Sequence, residues 1–381
     1  MQTDQSNYPS NKAIGIGVIG GGYMGKRHSV AMQSVGALCN TKLRPVCEMI
    51  CTTTKAGAAL KAQQFGFKRS TDDWQVLVND PAVEAIVIAS PQETHLEICS
   101  AAFALGKPVL CEKPLGASHS DATKMTELAT ASKCINMVGF NYIRTPLTQY
   151  AKQLIEQGVI GDVTYFRGEH SEDFYADPKA PASWRTQGRA NGTMGDLAPH
   201  MINAAIYLLG PIAKLCAQID TVHATRPSQD KTQPAQAVTN DDQAQFICKF
   251  ASGASGHLAF SRVASGRKMG LIYEITGTKG AIRFDQEDQN AIWLYQNDEP
   301  LAQQGFRKIL SNQDHPDYGL FCEGPGHGTG YQDQLILEAR DFLQAIETGS
   351  TQWPVFADGL ATSKVVDAAW RSQENAAWVD V

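Results

Sequence analysis

The sequence predicts an α/β protein in two parts: a doubly wound parallel sheet at the N-terminus, then an α+β domain built on a large open antiparallel sheet. Three observations carry that prediction. Short, wholly apolar runs alternate with amphipathic helical segments from residue 13 to about 141. A glycine-rich turn, Gly20-x-Gly22-x-x-Gly25, joins the first apolar run to the first helical segment. Beyond about residue 213, strand-like runs follow one another through short turns with no helices between them. Apolar runs of the first kind need both faces covered, which helices wrapped on both sides of a parallel sheet provide. Runs of the second kind, joined by short turns, pair antiparallel.

Taken in order, the first part reads as strand 13–19, helix 24–37, strand 43–48, helix 52–65, strand 84–89, helix 93–105, strand 107–111, helix 119–132 and strand 134–139. After Tyr142 the pattern changes to helix 146–157 closed by Gly158, strand 162–170, a polar loop at 171–194, and helix 197–209 stopped by Gly210-Pro211. Strands follow at 213–223, 242–250, 255–263, 269–277, 280–285 and 291–296, with a turn at Gly277-Thr-Lys-Gly280. The stretch from Thr225 to Asn240 reads as an exposed loop, and helices at 331–348 and 358–374 close the chain. The expected domains are 1–141, binding a dinucleotide, and 142–381, binding substrate and carrying oligomer contacts.

With 381 residues, 43% of them apolar, the chain has enough to bury two cores. A net charge of −6 and the lack of any Lys/Arg cluster interleaved with aromatics argue against a nucleic-acid partner. No apolar stretch approaches the ~20 residues that cross a bilayer, and residues 1–11 read as a polar tail, so a cytoplasmic protein is expected. Nine scattered cysteines without metal spacing fit small buried hydrophobes in a reducing compartment. An open antiparallel sheet with few helices leaves a face uncovered, so self-association is expected; Leu271, Tyr273 and Ile275 fit either face.

The glycine spacing has a mechanical reason. Gly20 permits the tight turn from strand to helix, Gly22 lets backbone approach a pyrophosphate, and Gly25 lets the helix pack close to the sheet. This is the Rossmann arrangement. Glu48, about 20 residues past the last glycine, is the expected ribose ligand, and its charge favours NAD over NADP. Ligands of such sheets lie beyond the carboxyl ends of the strands, which directs attention to Ser90-Pro91, Glu112-Lys113-Pro114 and Asn141-Tyr142, with His95 one turn into the following helix.

Two clusters carry candidate chemistry. Lys113, at the end of the fifth strand-like run, can hold or donate a proton to a substrate oxygen; as a bare pattern it also fits a solvated lysine before a turn proline. Asp196 and His200, four apart at a helix start, can share a face as a base and its orienting carboxylate, although Asp before a helix with Pro in its first turn is also a common cap. No second His or Cys sits at ligand spacing nearby, so no metal is expected. The loop with Asp173, Tyr175, Trp184 and Arg185 offers aromatic faces, a carboxylate and a guanidinium, equipment for a polyhydroxylated small molecule. Trp184 as a mere loop anchor is the plainer alternative.

The sequence resembles the glucose-fructose oxidoreductase / inositol dehydrogenase / MocA family through three separated signatures: Gly20-x-Gly22-Tyr23-Met24-Gly25, Cys111-Glu112-Lys113-Pro114, and Gly195-Asp196-x-x-x-His200. The resemblance implies a Rossmann domain followed by a sheet domain that builds dimers or tetramers. It implies Lys113, Asp196 and His200 as catalytic residues, with Lys113 and His200 handling the proton of a reacting hydroxyl. Phe140-Asn141-Tyr142-Ile143-Arg144 and Ser183-Trp184-Arg185 are similar to the branch acting on sugars, anhydrosugars and inositols, which implies Tyr142 and Arg144 as substrate contacts. The chain departs from the family pattern at Ser90-Pro91-Gln92, where Thr-Pro-Asn is frequent, and at Ala198, where glycine is usual. The function so implied is NAD-dependent oxidation of a ring secondary hydroxyl. Redox-neutral glycoside cleavage with tightly bound NAD and a non-catalytic dinucleotide-binding regulator are the alternatives.

Overall fold

The computed structural model describes residues 12–381; the tail expected at 1–11 lies outside the described residues. The chain divides into two compact units, one of residues 12–141 with Gly330–Leu360 and one of Tyr142–Thr329 with Ala361–Val381.

The first unit holds a six-stranded, all-parallel sheet: β1 (Lys12–Ile19), β2 (Leu43–Cys51), β3 (Arg69–Thr71), β4 (Ala85–Ile88), β5 (Val109–Glu112) and β6 (Asn136–Gly139), in the order β3-β2-β1-β4-β5-β6. The helices between them are α1 (Tyr23–Leu38), α2 (Lys55–Phe65), α3 (Trp74–Asn79), α4 (His95–Ala104) and α5 (His119–Ser132). Ile16, Val18, Ile50, Ile86 and Val87 are wholly buried in this sheet, each side chain contributing about 1.5–3 kcal/mol. Thr54 and Ser118 cap α2 and α5 by accepting backbone N–H groups of Gly57 and Asp121. The sheet reverses its order between β1 and β4, the switch point at which such folds open a crevice. Two differences from the expected elements matter. β2 runs three residues further than the apolar pattern indicates, and the polar, three-residue β3 with its short α3 gives no periodic signal.

The second unit begins with α6 (Pro146–Glu156) and β7 (Val163–Ser171), passes through α7 (Thr193–Asp196) and α8 (Ala198–Leu209), and continues with β8 (Ile212–Asp220). The short hairpin β9 (Thr225–Arg226) and β10 (Gln236–Ala237) forms within the segment expected as a loop. Then come β11 (Gln243–Phe250), β12 (Ser255–Ser261), β13 (Gly270–Gly277), β14 (Gly280–Asp285), β15 (Ala291–Gln296), β16 (Arg307–Leu310) and β17 (Val379–Asp380). Nine strands make one sheet ordered β16-β15-β14-β13-β7-β12-β11-β8-β17. Every neighbouring pair is antiparallel except β7 with β12, so the large sheet is mixed at its centre. α8 lies against β7 and β12, where Gly168 leaves room for Met201. Leu271, Tyr273 and Ile275 are buried with Phe166, Leu258 and Phe284; Arg167, Ile247 and Arg283 are exposed at alternating positions.

The last two helices are α9 (Tyr331–Thr348) and α10 (Phe356–Asn375). They correct the expected domain boundary. Residues 330–360 do not belong to the second unit: α9 packs along α1, and Asn141 donates to Gln334 at 2.8 Å. The first turn of α10 is tied to the same unit through Phe356, whose N–H donates to Asn136 Oδ1 at 2.8 Å. Later in α10, Ser372 accepts from the backbone of Ala217 on β8. No helix of the described residues is long and apolar enough to cross a membrane.

Candidate active site

One group of candidate residues lies in the first unit. Gly20 adopts φ +113°, and a Cβ there would strike the Ala89 carbonyl, so the turn demands glycine. A Cβ on Gly25 would strike the Gly20 carbonyl, which fixes how closely α1 approaches the turn. Gly22 is the opposite case: it starts α1 without a side-chain cap, and a Cβ there would meet nothing within 4 Å. The N-terminus of α1 therefore faces open space through bare backbone, a cradle that fits a pyrophosphate. Tyr23 and Met24 have other tasks. Tyr23 stacks on Tyr331 with centroids 6.1 Å apart, and Met24 Sδ accepts the Tyr331 hydroxyl at 3.4 Å, so both secure α9.

Glu48 does not stand where a ribose ligand should. It precedes the end of β2 by three residues, and its carboxylate pairs with Lys68 and Arg69, each at 3.0 Å. The strand-end position belongs to Cys51 and Thr52: the Cys51 carbonyl accepts the Gly20 N–H, and the Thr52 side chain flanks Gly21. The assignment of Glu48 as cofactor ligand is thereby corrected, because the strand continues through Met49, Ile50 and Cys51.

Beyond β4 and β5, two loops are stapled together by His95. Its Nε2 lies 3.0 Å from the Ser90 carbonyl, and its Nδ1 lies 3.2 and 3.3 Å from the carbonyls of Pro114 and Leu115. Burial lowers the His95 pKa, while the bonds to these carbonyls oppose the shift; a neutral ring carries one N–H and donates to one side only. Ser90 in turn shares a hydrogen bond with Thr94 at 2.7 Å beside Pro91. Lys113 is half-buried at the end of β5, and Glu112 beneath it is buried. Asn141, expected at the cofactor, instead holds α9 through Gln334.

The other group lies in the second unit. Asp196 ends α7 and His200 sits in the first turn of α8, with a break at Leu197 between them, so they do not share one continuous helix. The break is built. The Asp241 carboxylate accepts the Met194 N–H at 2.7 Å, and a side chain on Gly192 would strike it. The Asp196 carboxylate pairs with Arg185 at 2.6 Å. Tyr142 meets the His200 ring edge-on at 4.6 Å, and its hydroxyl donates to Met269 at 3.4 Å. Arg144 is buried beside it in the same turn.

Of the two aromatics expected to face substrate, Tyr175 is buried and Trp184 is exposed. Tyr175 is 8% exposed and is no sugar platform: two buried guanidinium groups, of Arg226 and Arg262, lie 4.6 and 5.1 Å from its ring, and its hydroxyl bonds Ser183 at 2.6 Å. It is the loop anchor. Trp184, by contrast, is 60% exposed, with the Arg185 guanidinium 4.4 Å from its ring. Asp173 pairs with Lys268 at 2.6 Å, which holds its carboxyl below the usual range, and it accepts the Gly266 N–H.

His170 on β7 escaped the motif reading. Its Nδ1 bonds the Leu197 carbonyl at 2.9 Å, its ring lies 5.7 Å from that of His200, and Glu172 stands 3.4 Å from its Nε2. The alternation Phe166, Gly168, His170 along one strand face was the signal that could have found it.

A bare glycine cradle at the start of a helix, beyond the first strand of a doubly wound parallel sheet, defines a dinucleotide-binding unit. Residues 14–140 match the oxidoreductase family with an NAD-binding Rossmann fold, and residues 148–283 match the GFO/IDH/MocA C-terminal domain. Levoglucosan dehydrogenase of Pseudarthrobacter phenanthrenivorans is 36% identical over 97% of this chain and 98% of its own length. Inositol 2-dehydrogenase of Rhizobium meliloti is 26% identical over 94% of this chain and 96% of its own. The solved structure of levoglucosan dehydrogenase in complex with NADH and levoglucosan superimposes with a TM-score of 0.94 at 36% identity, covering 97% of this chain and 100% of that one. The chain belongs to the glucose-fructose oxidoreductase / inositol dehydrogenase / MocA family. It is an NAD-dependent dehydrogenase acting on a CH–OH group, with NAD as its cofactor.

Proposed function

We propose that the protein oxidises a ring secondary hydroxyl of a neutral anhydrosugar of the levoglucosan kind. The observation that carries this reading is the likeness to levoglucosan dehydrogenase along 97% of the chain, at 36% identity. The state of Arg185 supports the neutral substrate: its charge is already matched by Asp196, which leaves little to attract a sugar acid or phosphate.

Bound NAD supplies the hydride acceptor. In this reading Lys113 Nζ and the His200 imidazole handle the proton released as the hydroxyl becomes a carbonyl. Asp196, aimed by Arg185, orients a substrate hydroxyl or the imidazole. Trp184 offers an exposed indole face for the C–H face of the ring. The Tyr142 ring fixes the plane of His200, and His170, holding the Leu197 carbonyl, fixes the break between Asp196 and His200. We infer in addition that the exposed face of the nine-stranded sheet, which carries Tyr165 and Ile247, joins a second copy, a state that light scattering would read directly.

The experiment is absorbance at 340 nm with NAD+ and a panel of levoglucosan, inositols, aldoses and sugar phosphates. Sustained NADH formation with levoglucosan, and none with the phosphates, supports the proposal. Turnover confined to an inositol or a phosphorylated sugar sinks it.

A further inference from the structure

With Glu48 engaged elsewhere, the end of β2 lacks the acid by which a dinucleotide's ribose is commonly read. In Rossmann folds such an acid accepts the ribose 2′-hydroxyl, repels a 2′-phosphate, and stands where the second strand ends. Here the strand ends at Cys51, whose carbonyl accepts the Gly20 N–H at 2.9 Å, so the next residue, Thr52, borders the glycine turn. A Cβ on Gly21 would lie 2.6 Å from the Thr52 methyl and 3.1 Å from Lys61 Cγ on α2. These two side chains line the turn. Glu48 lies roughly 13 Å further back along the extended strand, and its charge is matched by Lys68 and Arg69.

What stands in place of the acid is a run of hydroxyls followed by a cation, Thr52-Thr53-Thr54-Lys55. Thr54 is occupied, since its hydroxyl caps α2 by accepting the Gly57 N–H at 3.1 Å. The half-buried Thr52 hydroxyl makes a long bond of 3.3 Å to the Thr54 carbonyl, and Thr53 is exposed. Lys61 is held by neutral groups: its ammonium lies 3.2 Å from Gln64 Oε1 and 5.1 Å from the Phe65 ring. An incoming phosphate therefore has no ion pair of Lys61 to break. Acids beyond β3 limit the welcome. Burial, then Asp73 and Asp72, push the Cys51 thiol up to about 11, so both charges are felt at this strand end. Asp73 is engaged there as the cap of α3, accepting the Gln75 N–H at 2.8 Å. A 2′-phosphate here meets cation and hydroxyls on one side and these acids on the other, which makes it tolerated rather than sought.

We propose that the adenosine end of the cofactor site also admits a 2′-phosphate, with Thr52 beside the ribose and Lys61 as the countercharge, so that NADP+ serves this protein as a second hydride acceptor. The proposal concerns the adenosine end alone and is independent of which sugar is oxidised. An acid at position 52 restores the usual discrimination, and loss of the Lys61 charge removes the attraction for phosphate while the stem across Gly21 stays.

The test is a fluorescence titration of the full chain with NADH and with NADPH, without sugar, at about 0.1 M salt. The wild-type Kd for NADPH is expected within about tenfold of that for NADH. Thr52→Asp should weaken NADPH at least about thirtyfold and leave NADH within about threefold, because only the phosphate meets a like charge. Lys61→Met should weaken NADPH about threefold to fivefold and leave NADH unchanged. A wild-type ratio above about tenfold, or equal losses for the two cofactors in either variant, overturns the proposal. Should Thr52→Asp fail to fold, the wild-type ratio and Lys61→Met decide on the same terms. A protein that binds both cofactors but oxidises no anhydrosugar would remove the proposed substrate and leave this result standing, so the two failures are distinguishable.

Discussion

Arg185 donates to Asp196 Oδ2 at 2.6 Å while its guanidinium lies over the Trp184 ring, so one side chain ties a proposed catalytic carboxylate to an exposed aromatic face. The planar guanidinium does both at once; an ammonium would not. Arg185→Lys is accordingly expected to lower kcat/KM about tenfold, and Arg185→Ala about tenfold to a hundredfold, with the Kd for NADH unchanged. Steady-state kinetics beside a fluorescence titration of NADH measure the two effects separately.

Lys113→Ala should abolish measurable turnover, a loss of at least about a hundredfold, while NAD affinity stays within a few-fold. Retained affinity distinguishes loss of the amine from collapse of the loop, which His95 and the Glu112 carboxylate hold from behind. Wild-type turnover in this variant would remove Lys113 from the reaction.

Glu48→Gln separates a ribose ligand from a structural ion pair. Its partners, the Lys68 and Arg69 side chains, are 62% and 41% exposed, so the loss in stability should be under about 1 kcal/mol. The preference for NAD+ over NADP+ should not move. A change of tenfold or more in that ratio would restore Glu48 to the cofactor.

Asp241 provides a pH signature. Burial pushes its carboxyl up to about 6, against the N–H of Met194, which favours the charged form. A raised carboxyl is protonated in the folded chain while the unfolded chain has already lost its proton. This contribution is therefore full below about pH 4 and lost as the pH rises through about 6, by roughly 2–3 kcal/mol. Asp241→Asn removes the titration. Denaturant melts of variant and wild type should show the variant gaining relative stability between about pH 4 and pH 7. A flat difference across that range would contradict the assignment.

How far the sequence could be read follows from how local each signal is. The turn at Gly20, Gly22 and Gly25 was legible because Gly20 and Gly25 answer to backbone on the neighbouring strand end or within a few residues, while Gly22 opens the helix with nothing beside it. The candidates Lys113, Asp196 and His200 stand in short motifs, whereas the break at Leu197 between the last two gives no such signal, since the contact on its carbonyl comes from His170 on β7. Glu48 was misplaced because counting residues assumes a strand end, and Met49-Ile50-Cys51 read equally well as the start of the next element. The anchoring role of Tyr175 was invisible because Arg226 and Arg262 reach it from distant segments. Their burial against one aromatic ring leaves no periodic trace.

The path of α9 gives the chain an order of assembly. The dinucleotide unit opens with β1 at residue 12, but its outer helix, with Gln334 on Asn141 and Glu338 beside His28, comes only at 331–348. On a ribosome, the cradle at Gly22 emerges hundreds of residues before the segment that seals the ground beneath Lys113. Until that helix arrives, the nascent nucleotide half carries an unfilled apolar and ionic seam along α1. A chaperone would meet that seam, and a premature stop after residue 330 would leave it open for good.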